Sequence, residues 1–259
     1  MILPNMTPQE KLAQMNKLFP FVNAITKRLP EARFKTLKRA SRFPAFLFVK
    51  DNDISGMGKW TIVVVADSKS DACKGRYACL AFQTFFVRHS KNPSNNGTGV
   101  YLLHHQQSVG AWCCEIPPHY FNRVRERLIK PKGIVQPDFD GLMREVLRMH
   151  HHCMHVIHEG TVIEKGEDGK YDVVKTKENT RVEGYDNFAS YHDGGISLGL
   201  SVDRRYFLYT TFVSNDLLRN GQQAFQEQYI REAKDHELRL RTNPKDIFMK
   251  EEFVDNVDF

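Results

Sequence analysis

Between Ala45 and Glu115 the chain repeats with a period of two residues, and that stretch constrains the fold more than any other. Phe46-Leu47-Phe48-Val49, Trp60-Thr61-Ile62-Val63-Val64-Val65, Cys79 to Val87 and Gly99 to Leu103 are short runs rich in β-branched and aromatic residues. Such side chains fit a pleated, half-buried surface and predict strands. Asp51-Asn52-Asp53, Gly56 and the polar run Lys91-Asn92-Pro93-Ser94-Asn95-Asn96-Gly97 separate them, the last predicting a flexible loop. Gly110 to Ile116 predicts one more strand. The spacing favours an antiparallel meander.

Helical patterns flank this block. Thr7-Pro8-Gln9-Glu10 has a cap residue, a proline in the first turn and an acid three residues on, so a helix is expected from Thr7 to Leu29. Leu12, Met15, Leu18 and Phe19 form its apolar stripe, and a short basic helix follows, ending before Phe43-Pro44. After the meander, helices are predicted over about 118–129 and 138–154, and strands return from Val156. Glu167-Asp168-Gly169 marks a hairpin, and Asp203-Arg204 a tight turn between strands Ile196–Val202 and Arg205–Val213. Asn215-Asp216 caps a closing helix to about Leu240, and the acidic stretch 242–259 is expected to be poorly ordered. The expected fold is α+β: antiparallel sheet, a leading N-terminal helix, a central two-helix unit and a long closing helix. The expected regions are 1–116, 117–241 and the tail 242–259.

Composition narrows the function classes. At 259 residues, 41% hydrophobic and 26% charged, the chain has ordinary globular values. A net charge of +6 permits an acidic partner such as RNA or other nucleic acid. The cations are clustered: Lys27, Arg28, Arg33, Lys35, Lys38, Arg39 and Arg42 lie close together, and a second group runs from Arg123 to Lys132. Cys73, Cys79, Cys113, Cys114 and Cys153 are odd in number and form no CxxC pair, which argues against a disulfide framework or a cysteine zinc ribbon. With no leader pattern and no 18-residue apolar run, a cytoplasmic protein with no membrane partner is expected. Asn96-Gly97-Thr98 then reads as a chance sequon in a polar loop.

Three constellations could carry chemistry. In the helix starting at Pro118, Phe121, Val124 and Leu128 form an apolar ridge, predicted to be buried. His119, Arg123, Glu126 and Arg127 fall on the opposite side. A titratable group beside fixed positive charge suits phosphodiester chemistry, and the plain alternative is a solvated helix face. In the helix near Asp138 the ridge is Phe139, Leu142, Met143, Val146 and Met149, and Arg144, Arg148, His151 and His155 share another face. That stripe reads as a solvated helix end favoured by the helix dipole, as a phosphate contact, or as a metal pair at His151 and His155. No metal is expected, because Arg148 lies one turn away and only His158, Glu159 and Cys153 are at hand as further ligands. The third constellation is the Gly-rich segment Gly184 to Gly195 and the strand after it. There Ser197, Gly199 and Ser201 leave one face small, with His192 at its start and Thr210, Thr211 and Ser214 beyond. The adjacent pair His104-His105 points to opposite strand faces and carries no assigned function. No GxGxxG, Walker loop, GxSxG elbow or HExxH occurs, so no cofactor is expected.

His119-x-x-x-Arg123-x-x-x-Arg127, followed by a second helix and a hairpin ending in a Thr-rich strand, resembles small toxin-type ribonucleases. These are the RelE/BrnT-like group and the wider barnase, EndoU and colicin-nuclease-like set. The resemblance covers about 115–218 and implies His119, Arg123 and Arg127 as helix members of a site, with His192 and Thr210 or Thr211 from the sheet. Residues 1–115 would then form a separate substrate-, ribosome- or partner-binding region.

The expected function is a metal-independent ribonuclease. His119 and His192 would transfer protons, Arg123 and Arg127 would hold the scissile phosphate, and Lys35, Lys38, Arg39, Arg144, Arg148, His151 and His155 would contact nucleic acid. The first alternative is a non-catalytic nucleic-acid-binding or regulatory protein of a mobile element. The second is a partner-binding module presenting Phe82, Phe85 and Phe86 to another protein.

Overall fold

Helix α1 (Pro8–Lys27) starts where its caps allow. The Glu10 amide donates to Thr7 Oγ1, the Thr7 amide donates to the Glu10 carboxylate at 2.8 Å, and Pro8 takes a first-turn position that needs no donor. The computed structural model describes residues 2, 3, 5–54, 56–88, 96–106, 110–133, 137–151, 154–158, 161–165, 167, 171–175, 185–202, 204–218, 223, 224, 226–232, 234 and 235. The fold is α+β. The chain divides into two units, residues 1–122 with 202–209, and residues 123–201 with 210–259.

In the first unit, strands β1 (Ala45–Ile54), β2 (Gly58–Ala66), β3 (Ala78–Val87), β4 (Gly97–Gln106) and β5 (Gly110–Ile116) form the expected antiparallel meander. Polar Lys91 to Asn95, expected as a loop, lies outside the described residues. Met15, Leu18 and Val22 of α1 and Ile62, Val63 and Val64 of β2 are fully buried. Each such side chain contributes about 1.5–3 kcal/mol of burial free energy. Helix α2 (Glu31–Lys38) is anchored by Leu37, 1% exposed.

Two features of this unit differ from expectation. Helix α3 (Lys69–Lys74) interrupts the meander, with the Ser68 hydroxyl accepting from the Asp71 amide and Gly75 closing it at φ 69°. The sheet is also not wholly antiparallel. The first residues of β11 (Tyr206–Ser214) run parallel to β5, with Tyr206 opposite Cys113 and Leu208 opposite Glu115. Parallel neighbours need a long crossover. Here it is all the chain from 117 to 205.

Helix α4 (Pro118–Val124) continues as one π-helical segment, Arg125–Ile129. Phe121, Val124 and Leu128 are buried and the Arg123 and Glu126 side chains are 48% and 60% exposed, as the 3.6-residue period predicted. In the second unit helix α5 (Phe139–His151) buries Leu142, Met143, Val146, Leu147 and His150. It ends at His151, three residues short of expectation. The backbone then extends as β6 (Met154–His158), which pairs with β9 (Asp186–His192). His155 is therefore opposite Ser190 in a sheet and does not continue the α5 face, so the expected four-residue helical stripe is broken.

Strands β7 (Thr161–Lys165) and β8 (Tyr171–Lys175) pair as a separate hairpin; Asp168 and Gly169 of its expected turn lie outside the described residues. Strand β10 (Gly195–Val202) pairs antiparallel with β9. Ala189, Tyr191, Ile196, Leu198, Val213, Leu218 and Tyr229 form this unit's apolar cluster. Beyond β11, where a long helix capped by Asn215-Asp216 is expected, Asn215–Leu217 forms a single 3-10 turn that ends in extended backbone at Leu218, and helical backbone is described only at 223–224, 226–232 and 234–235. Residues 236–259 lie outside the described residues.

Candidate nucleic-acid interface

His119 is half-buried in the first unit, and Arg123, Arg127, His192 and Thr211 belong to the second. His192 closes β9 with none of its surface exposed. Its Nε2 lies 2.7 Å from Ser197 Oγ, its ring stacks on Phe212 at 5.6 Å, and its carbonyl accepts from Gln226 Nε2 at 2.6 Å. The His150 ring is 5.6 Å away. An acid or base must come within hydrogen-bond reach of substrate. His192 is instead enclosed by its own chain.

Arg127 and His192 do converge, on Phe212: the guanidinium donates to the Phe212 carbonyl while the imidazole stacks on its ring. Arg127 thereby fastens the π-helical segment to β11. Arg123, exposed, pairs with Glu126 at 3.1 Å. Thr211 is half-buried, and neighbouring Thr210 is exposed and donates to the Leu198 carbonyl at 3.0 Å. The small-residue face of β10 is filled rather than open. Ser197 and Ser201 are 0% and 1% exposed. At Gly195 an added Cβ would lie 2.1 Å from the Val213 carbonyl oxygen.

The α5 stripe is similarly committed. Arg148 pairs with Glu145, both side chains under 20% exposed, and Arg144 and His151 are half-buried. The side chain of His155 lies outside the described residues. No three His, Cys, Asp or Glu side chains among the described residues gather as a metal site. No described helix is long and apolar enough to cross a membrane. Of the three phenylalanines expected as a contact face, Phe82 is 3% exposed, Phe85 stacks on Tyr101 at 4.4 Å, and Phe86 is 65% exposed.

The basic residues of the first unit make the more open arrangement. Leu37 of α2 and Ala72 of α3 share one buried cluster, and Phe34 stacks on Tyr77 at 4.9 Å. The Lys69 ammonium donates to the Lys38 carbonyl, so the start of α3 meets the end of α2. The α2 segment, with Arg33, Lys35, Lys38, Arg39 and Arg42, is thus joined to the α3 segment, with Lys69, Lys74 and Arg76, and all of these cations but Lys38 are exposed. The acids in these two segments are Glu31, Asp67 and Asp71, which leaves an excess of positive charge. Lys38 pairs with Glu31 at 3.4 Å and Arg76 with Asp71 at 2.7 Å. Lys35 and Arg39 are exposed. The α3 cations went unread in the sequence, although Ser68-Lys69-Ser70-Asp71 is a capping-box spacing that marks a helix start.

Sequence reasoning also missed a buried polar group in the same unit, formed by Lys11, Glu115 and Tyr206. Its signal was Lys11 itself, a charge at the spacing of the buried α1 stripe with Met15, Leu18 and Val22. Compared with known proteins, the chain matches no family model, no curated protein and no solved structure.

Proposed function

We propose that this protein binds nucleic acid through the basic α2–α3 face of its first unit, and that binding rather than cleavage is its activity. The observation that carries this reading is the meeting of the α3 start with the α2 end, where Lys69 reaches the Lys38 carbonyl. Two cationic segments distant in sequence become one surface. Several cations gathered in one region engage a phosphate backbone and gain affinity by releasing its counterions. The ribonuclease alternative needs a second proton-transfer group in contact with RNA, and its candidate, His192, is wholly enclosed.

The test is anisotropy of labelled RNA and DNA against salt concentration, with a cleavage assay at limiting protein. Wild type is expected to bind with an affinity that falls as salt rises. Lys35→Glu, Arg39→Glu and Lys69→Glu should each weaken binding and flatten the salt slope by roughly 0.7–0.9 or more. Unchanged affinity in the triple variant overturns the reading. Multiple turnover of RNA that is lost in His119→Ala would restore the ribonuclease alternative.

A further inference from the structure

We propose that the nucleic acid held on the α2–α3 face is single-stranded, with a base laid against the Phe34–Tyr77 ring pair; this rests on the binding reading above. The two rings lie 4.9 Å apart with 19° between their planes. Both remain partly exposed while the cluster beneath them is closed, with Leu37 at 1% and Ala72 at 0%. Each ring has exposed cations beside it in the chain: Arg33 and Lys35 flank Phe34, and Arg76 precedes Tyr77. The Tyr77 hydroxyl donates to the Ala72 carbonyl at 3.0 Å, which fixes that ring in place.

A duplex keeps its base faces inside its own stack and offers a protein surface phosphates and groove edges. An unpaired strand offers phosphates and base faces together. Aromatic rings set among cations engage both, and they tolerate any base because every base has a π-face. On a duplex the ring pair has nothing to do, and on a single strand it adds a contact that charge alone does not supply.

The test titrates the full chain with labelled oligouridylate and oligothymidylate of about twelve nucleotides, and with a duplex of equal length. Wild type should prefer the single strands, and the tighter of the two identifies the sugar. Phe34→Leu keeps an apolar anchor but removes the π-face. It should weaken single-strand binding roughly 10- to 100-fold and leave duplex binding unchanged, while Phe34→Tyr should bind as wild type. Phe34→Trp should show fluorescence quenching on adding oligonucleotide beyond that of the wild-type protein, a readout that stands even where the leucine variant folds poorly. Equal affinity for duplex and single strand, or an absence of extra quenching at saturation, overturns the stacking proposal. If Lys35→Glu still weakens both ligands in that case, the binding reading survives it. Wild type that binds neither ligand overturns both.

Discussion

Lys11 Nζ lies 2.8 Å from Glu115 Oε2, with 7% and 19% of the two side chains exposed, so a buried ion pair ties α1 to β5. The Tyr206 hydroxyl donates to the same carboxylate oxygen. The ammonium also stands 5.1 Å over the Tyr101 ring and 6.0 Å from the Tyr206 ring, where it is attracted to their π-faces. Burial first, and then the neighbouring Cys113 and Glu115, push the Tyr206 hydroxyl far above its ordinary pKa, so it stays a donor.

Removing one member of that pair leaves the other charge buried. Lys11→Met and Glu115→Gln should each lower stability by about 3–5 kcal/mol, and the double variant by less than their sum. Chemical denaturation of the four proteins checks this. Single losses below about 1 kcal/mol would mean that the pair behaves as a solvated one.

The α1 cap gives a pH dependence. The hydrogen bond from the Thr7 backbone amide, then that from its hydroxyl, holds the Glu10 carboxyl below the usual carboxylate range. A depressed acid contributes stability above its unfolded value and loses it as pH falls through the folded value. The protection of the Thr7 and Glu10 amides, taken as the intrinsic exchange rate over the observed one at each pH, should therefore fall as pH drops below about 4, and Glu10→Gln should remove that step. Protection that stays constant across that range would contradict the capping geometry.

Thiol reactivity should separate the cysteines. Cys73 is exposed, and Cys113 and Cys114 are 0% and 1% exposed. Burial, aided by Cys114 and Glu115 and opposed by Lys11, pushes the Cys113 thiol well up, away from the reactive thiolate. Iodoacetamide followed by peptide mass spectrometry should find Cys73 labelled in native protein, and Cys113 and Cys114 labelled only after denaturation.

His192 should behave as a core residue. Ser197→Ala deletes its 2.7 Å partner and should cost about 1–3 kcal/mol. His192→Ala should cost more, since it also removes the ring stacked on Phe212. A His192→Ala protein that melts like wild type would place the imidazole at the surface after all.

Gly195→Ala should fail to fold the second unit properly. The added methyl would meet the Val213 carbonyl oxygen at 2.1 Å, and that atom is backbone and cannot swing aside. Protease resistance of the region 186–214 should be lost in this variant. A fully resistant protein would show that β11 has room to move.

Local patterns were legible in the sequence wherever one segment decided its own structure. Thr7-Pro8-Gln9-Glu10 starts α1, period-two runs become β1 to β5, and Phe121 and Val124 turn inward because an α-helix repeats every 3.6 residues. At α5 the local pattern is overridden. Its period runs on toward His155, but pairing with β9 satisfies the backbone of 154–158 in a ladder, and tertiary hydrogen bonding prevails over local pattern.

What only tertiary structure decided is which distant residues meet. Nothing local to Lys11 names Glu115, 104 residues away, and nothing in Ser197 or Gly195 says that their small size admits His192 and β11 rather than a substrate. A polar or small residue in a sequence records that something will lie against it. Only the packing of the folded chain decides what that neighbour is.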